Sequence, residues 1–247
     1  ASAARGGGDA ADAGAVAFLV PALGAATSQQ VAAALPALLA QLDDAALAKA
    51  FRRAVAAHAA AAHRTTTALS AADLLVQLHR LPEGAVPMKR LNDALNVCLS
   101  ARDVFGPLAL RDALDRMLPA ADAGAAGLAT VPKPFLRTCI LAVKTYSSQL
   151  AAHVAAAVLP RLVKLSVWTD ADLWKGFLMY CKLLGAGSGN DDGTCFTAAL
   201  GLPPPQLQKL LAFAPKLKLP LKRHAEKLVK ARNTDGVVPG ALKLLGL

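Results

Sequence analysis

The sequence predicts an all-α protein, and three observations carry the prediction. Hydrophobic residues make up 55% of the 247 positions while aromatics are only 4%. The apolar excess is therefore alanine, which has the highest helix propensity and lets helices approach closely. Apolar residues recur at three- and four-residue spacing along nearly the whole chain, and no segment alternates as a strand does. Helix-start signals, a Ser or Thr followed three residues later by an acid, punctuate the pattern at Ser70/Asp73 and Thr169/Asp172.

Residues 1–14, a Gly-rich run without apolar periodicity, read as a linker tail, and an Ala-Ser start reads as a piece of a longer protein. No signal peptide is visible. Val16 to Ala25 reads as a first short helix. Thr27 caps a second one to about Ala34, and Leu35-Pro36 restarts the chain. No charge stands between Ala13 and Leu42, and mean hydropathy is +0.40, yet Pro21, Gln29, Gln30 and Pro36 interrupt that run and argue against a membrane span.

Leu35, Leu38, Leu39 and Leu42 form one stripe, Asp43-Asp44 a turn or helix start, and Leu47, Phe51 and Val55 the next stripe. His58, His63 and Arg64 close this helix before a Thr-rich loop. Ser70 opens LLVQLHRL, which Pro82-Glu83-Gly84 ends. Met88, Leu91, Leu95, Cys98 and Leu99 define the helix after Pro87, and Leu108, Leu110, Leu114, Met117 and Leu118 the one after Gly106-Pro107. Residues 119–131 read as a flexible link and the one soft internal boundary.

Residues 132–182 organise the rest. Phe135, Leu136, Cys139, Val143, Tyr146 and Leu150 share an arc about 100° wide, with Lys133, Arg137 and Lys144 on another face. Val154, Val158, Leu159, Leu162, Val163 and Leu165 spread so widely that their helix must be buried. The next starts at Thr169-Asp170-Ala171-Asp172, with Trp174, Phe177, Leu178 and Cys181 inside. A GAGSGNDDG loop at 185–193 and a Lys-rich C-terminal part follow. A helix pair recurs over roughly 35 to 45 residues, with Leu-Pro near helix starts, and LPALLAQLDDAALAKAF echoes LPPPQLQKLLAFAPKL. The expected architecture is a right-handed α-solenoid of HEAT- or armadillo-like pairs with about nine to eleven helices. Residues 15–232 form its helical domain and 233–247 a tail.

No constellation points to chemistry. No two of the five histidines stand three or four apart, and His58 and His63 are turned about 140° from each other on a helix. No Cys-x-x-Cys pair exists. Cys98, Cys139 and Cys181 lie on apolar stripes and read as inert core residues of a reducing compartment. The glycine loop follows a helix and carries Asp191 and Asp192, which would repel a phosphate. Neither a cofactor, a metal, a small-molecule substrate nor catalysis is expected.

Charge is more informative. From Leu207 onward, Lys209, Lys216, Lys218, Lys222, Arg223, Lys227, Lys230, Arg232 and Lys243 face only Glu226 and Asp235, so this end holds most of the chain's formal +10. Such a patch meets an acidic protein surface or an RNA backbone, or simply keeps an apolar array in solution. Phe213, the one aromatic here, fits the apolar stripe of its helix, so base stacking has little support. Trp168 and Trp174 read as core or as interface anchors.

Arg137-Thr138, Tyr146, Leu159, Arg161-Leu162, Lys164, Val167-Trp168 and Trp174-x-Gly176-Phe177, followed by Leu202-Pro203-Pro204-Pro205-Gln206-Leu207, form a pattern that resembles the C-terminal domain of the symplekin family. LSAADLLVQLHRL, Met88-Lys89 and CLSARDVF extend the resemblance upstream, over most of residues 16–232. It implies a nuclear, non-enzymatic helical scaffold of mRNA 3′-end processing. Its partners would be the metallo-β-lactamase-fold endonuclease of the cleavage and polyadenylation specificity factor and that enzyme's inactive homologue, with a link to cleavage stimulation factor. Arg137, Lys144, Arg161 and Lys164 are the expected polar contacts and Trp168 or Trp174 the anchor. RNA binding by 207–243 is the alternative. The sequence departs from the family at Pro160, expected to kink or divide its helix, and in longer loops at 119–131 and 185–193.

Overall fold

The computed structural model describes residues 27–61, 69–120, 122–185 and 194–247, which form helices and turns with no strand among them. The expected tail at 1–14, the helix at Val16–Ala25, the Thr-rich loop and residues 186–193 of the glycine loop lie outside the described residues. The chain separates into two compact units between Ala113 and Leu114, a few residues ahead of the expected boundary at 119–131.

The first unit holds α1 (Ser28–Gln41), α2 (Asp44–Ala61), α3 (Ala71–His79) and α4 (Met88–Ser100); α5 (Pro107–Met117) crosses the division. Thr27 Oγ1 accepts from the Gln30 amide at 3.2 Å, and the Gln30 side chain accepts from the Thr27 amide at 2.7 Å, so α1 starts on a capping box. The helix then runs straight through Pro36 instead of restarting there. A mid-helix proline costs about 3 kcal/mol, and burial of Leu35, Leu38, Leu39 and Leu42 around it offsets that cost. The apparent repeat therefore fails structurally: Leu35-Pro36 is helix interior, whereas Pro203 is the N-cap of a later helix.

Asp43 accepts from the Ala46 amide at 2.7 Å and begins α2. Arg90 of α4 locks this corner, donating to the Leu39 carbonyl at 2.7 Å, to the Leu42 carbonyl and to the Asp44 carboxylate. α3 starts on the predicted box, with the Asp73 amide 3.0 Å from Ser70 Oγ and the Ser70 amide 2.8 Å from the Asp73 carboxylate. Leu74, Leu75, Leu78, Leu91, Leu95 and Leu99 fill the core between α3 and α4. Met88 and Leu108, both expected on apolar stripes, are exposed. Each stands in the first turn of its helix, where side chains lean past the helix end and away from its neighbours.

The second unit continues with α6 (Gly124–Leu128), α7 (Phe135–Thr145), α8 (Ser147–His153), a π turn (Val154–Val158), α9 (Leu159–Lys164), a 3-10 turn (Val167–Thr169) and α10 (Ala171–Gly185). After these come α11 (Thr194–Leu200), α12 (Pro204–Phe213), α13 (Lys218–Lys230) and α14 (Pro239–Leu244). The helices are shorter and more numerous than the sequence suggested. One reason is Tyr146, whose φ of −132° and ψ of 46° end α7 where a single helix to Leu150 was expected.

Pro160 does not divide its helix. Its ring would strike the carbonyl four residues back and leave it without a donor, but the preceding turn widens, with the Leu159 amide bonded five residues back to Val154. Such a π turn absorbs the misfit, and Ser147 to Lys164 remains one continuous helix. Further on, α13 ends in a Schellman motif, the Arg232 amide bonded to the Val229 carbonyl and the Asn233 amide to Leu228, with Arg232 in the left-handed region. Residues 233–247 carry α14, whose Ala241 is buried, as is Leu245 just past its end; a Cβ on Gly240 would lie 2.5 Å from Pro204 Cγ, so glycine permits the close approach to α12.

Candidate partner-binding surface

The surface that the sequence singles out is built on α7 and α10. Phe135, Leu136, Thr138, Cys139, Ala142 and Val143 turn one side of α7 into the core. This leaves Arg137 and Lys144 exposed on the opposite side, two turns apart on one face. Lys144 also sits in the last turn, where a cation complements the helix dipole. Lys133 is exposed just ahead of the helix.

α10 packs directly on α7. Asp170 caps it, its carboxylate accepting from the Asp172 amide at 3.0 Å and the Leu173 amide at 2.9 Å. The expected cap, Thr169, instead donates its hydroxyl to the Ser166 carbonyl at 2.9 Å. Asp outcompetes Thr because its carboxylate can take two free amides at once. Leu173, Phe177, Leu178, Tyr180 and Cys181 line the inner side. Trp174 is half-buried and stacks on Phe177, with ring centroids 5.5 Å apart and planes 17° from parallel. Trp168, in the 3-10 turn leading into α10, is half-buried as well. Each tryptophan thus has a packed side and an open side.

Arg161 and Lys164 share α9 but differ in role. Lys164 is exposed. Arg161 donates to the carbonyls of Leu118 at 2.9 Å and Pro119 at 2.8 Å, where they follow the C-terminus of α5. Asp115 Oδ1 lies 3.9 Å from the same guanidinium and 3.1 Å from His153 Nε2. The structure therefore groups Arg137 with Lys144 and Trp174 with Phe177, and gives Arg161 an internal carbonyl cap. An Arg reaching back over some forty residues leaves no local signal, so sequence reading could not find this contact.

The basic end is assembled mainly by α13. Lys218, Arg223, Lys227 and Lys230 are exposed and Lys222 half-buried, with Lys209 exposed on α12, Lys216 in the turn between them and Arg232 past the end. Leu217, Leu221 and Ala225 hold the helix to the core. Phe213 departs from expectation: it is exposed, with Lys182 Nζ 5.3 Å above its ring.

Burial pushes the thiols of Cys98, Cys139 and Cys181 well above their usual range, which makes them unreactive. Among the described residues no group of three or more His, Cys, Asp or Glu is placed to hold a metal, and no helix is long and apolar enough to cross a membrane.

The family model described as symplekin tight junction protein C terminal matches residues 15–213. The chain belongs to the symplekin C-terminal family. Its members serve mRNA 3′-end processing, generally as scaffolds without catalysis, through protein partners. The match takes in α7 to α10 and the whole of α12, and stops before α13. No solved structure matches the chain.

Proposed function

We propose that this symplekin-family chain is a nuclear scaffold of the pre-mRNA cleavage and polyadenylation machinery, a solenoid of helical pairs that holds the C-terminal domains of the endonuclease subunit and its inactive homologue. The supporting observation is the family match across α7 to α10, where Arg137 and Lys144 stand exposed on one face and Trp168 and Trp174 each keep an open side. Half-buried tryptophans and exposed cations are the usual make-up of an interface centre and its rim. Lys164 extends the polar rim, cleavage stimulation factor is a further contact, and Arg161 acts from behind by holding the α5 end in place.

Co-expression with the two C-terminal domains tests this reading. The complex elutes as one species, and Arg137→Glu with Lys144→Glu weakens it while the variant keeps its helical content. Separate elution of the unaltered chain from both domains would overturn the assignment.

A further inference from the structure

α13 lies beyond the family match, yet it is firmly seated through Leu217, Leu221 and Ala225, and its outer side is unusual. Leu219 is 57% exposed and Val229 44% exposed. Between them on the same face stand Lys222 and Glu226, so the outer stripe reads Leu219, Lys222, Glu226, Val229. That spacing of three, four and three is the seam along which one helix pairs with another. It spans about 15 Å, roughly three turns. Arg223, Lys227 and Lys230 flank it on one side and Lys218 on the other. Among the described residues none of these cations is held in an ion pair.

We infer that the outer face of α13 docks an acidic amphipathic helix of a protein partner. Apolar residues of that helix cover Leu219 and Val229, its central polar residues pair with Lys222 and Glu226 and set the register, and its flanking Asp and Glu meet Arg223, Lys227 and Lys230. A face serving only solubility gains nothing from two large aliphatic groups at seam positions. RNA fits less well than protein. Leu and Val offer no plane for base stacking, Glu226 repels phosphate, and Phe213, the nearby exposed ring, already carries Lys182 on one side. The surface is separate from the one on α7 and α10, so either assignment can fail without the other.

The test uses the intact chain and two labelled probes in fluorescence anisotropy: a helical peptide of about three heptads with Leu at its seam and Glu at its flanks, and an oligouridine. The peptide binds. Leu219→Ser with Val229→Ser, which leaves every charge in place, weakens it about tenfold, and reversing Arg223, Lys227 and Lys230 to Glu abolishes binding. Both exposed-site variants are checked for unchanged helical circular dichroism and an unchanged unfolding midpoint. No peptide binding, an affinity indifferent to the serine substitutions, or tighter and salt-steep binding of oligouridine would each overturn the inference.

Discussion

Gly176 of α10 lies against Leu136 of α7 so closely that a Cβ on Gly176 would stand 2.8 Å from the Leu136 Cβ. The Trp-x-Gly-Phe run thus has a steric reason: glycine lets the two helices approach, which seats Phe177 in the core and places Trp174 at its margin. Gly176→Ala gains about 1 kcal/mol of helix propensity, against an overpacking cost of about 1–3 kcal/mol. With the obstacle a Cβ fixed to the backbone, the cost prevails, and urea unfolding shows a net loss. Adding Leu136→Ala does not rescue it, because alanine keeps the offending atom.

Arg161 and Arg137 look alike in sequence and separate in stability. Arg161→Ala removes two charge-assisted bonds to the carbonyls of Leu118 and Pro119. On a partly exposed side chain this costs about 1–2 kcal/mol. Arg137→Ala, on the open face of α7, changes stability by less than about 0.5 kcal/mol, and under the proposed function its effect falls on co-elution instead. Thermal melts and co-elution on the same pair of variants check both halves.

Tyr180 is fully buried, and among the described residues its hydroxyl has no hydrogen-bond partner. Burial also pushes its phenol well above the ordinary range. An orphan hydroxyl in the core carries a desolvation cost of about 1–3 kcal/mol, so Tyr180→Phe leaves stability unchanged or raises it. Calorimetry decides; a loss beyond about 1 kcal/mol would reveal a partner for the hydroxyl.

His79 is buried at the end of α3, one ring nitrogen 2.8 Å from the Leu75 carbonyl, and burial pushes its pKa down to about 4. The unfolded chain takes up a proton at this residue near pH 6.5 while the folded chain stays neutral until about pH 4. Stability is therefore lost as pH falls across that window and levels off below it, with an upper bound of about 3 kcal/mol from this group. Comparing the pH dependence of unfolding with that of His79→Leu isolates the contribution, since the variant lacks this part of the slope.

Much of the helical pattern was legible because it is local. The Thr27 and Ser70 boxes, the Asp43 start and the Leu stripes of α1, α3 and α4 appear where three- and four-residue spacing puts them. Errors gathered where a signal had two readings. Leu-Pro marks an N-terminus at Pro203 but helix interior at Pro36, since proline's local cost yields to the burial of its neighbours. Thr169 and Asp170 both offered a cap, and geometry chose the carboxylate.

The candidate site was legible in part. Periodicity separated the buried stripe of α7 from Arg137 and Lys144, but it gave Phe213 to the core and could not see Leu219 and Val229 as exposed. Exposure depends on which neighbours reach a face, and α13 packs on α11 and on the turn that precedes it, a pairing that its own spacing does not reveal.

By itself the sequence determined an all-helical chain, its principal apolar faces, its basic end and its family, because propensity, capping and amphipathic spacing act within a few residues. Only the tertiary structure decided that Arg161 is a carbonyl cap, that Pro160 is absorbed by a π turn, that Gly176 is a contact point between helices, and that α13 keeps two aliphatic groups in solvent. Arg161 and Gly176 meet partners some forty residues away, and the π turn and the open side of α13 follow from how whole helices are accommodated; in each case packing and the need to satisfy backbone carbonyls override local preference.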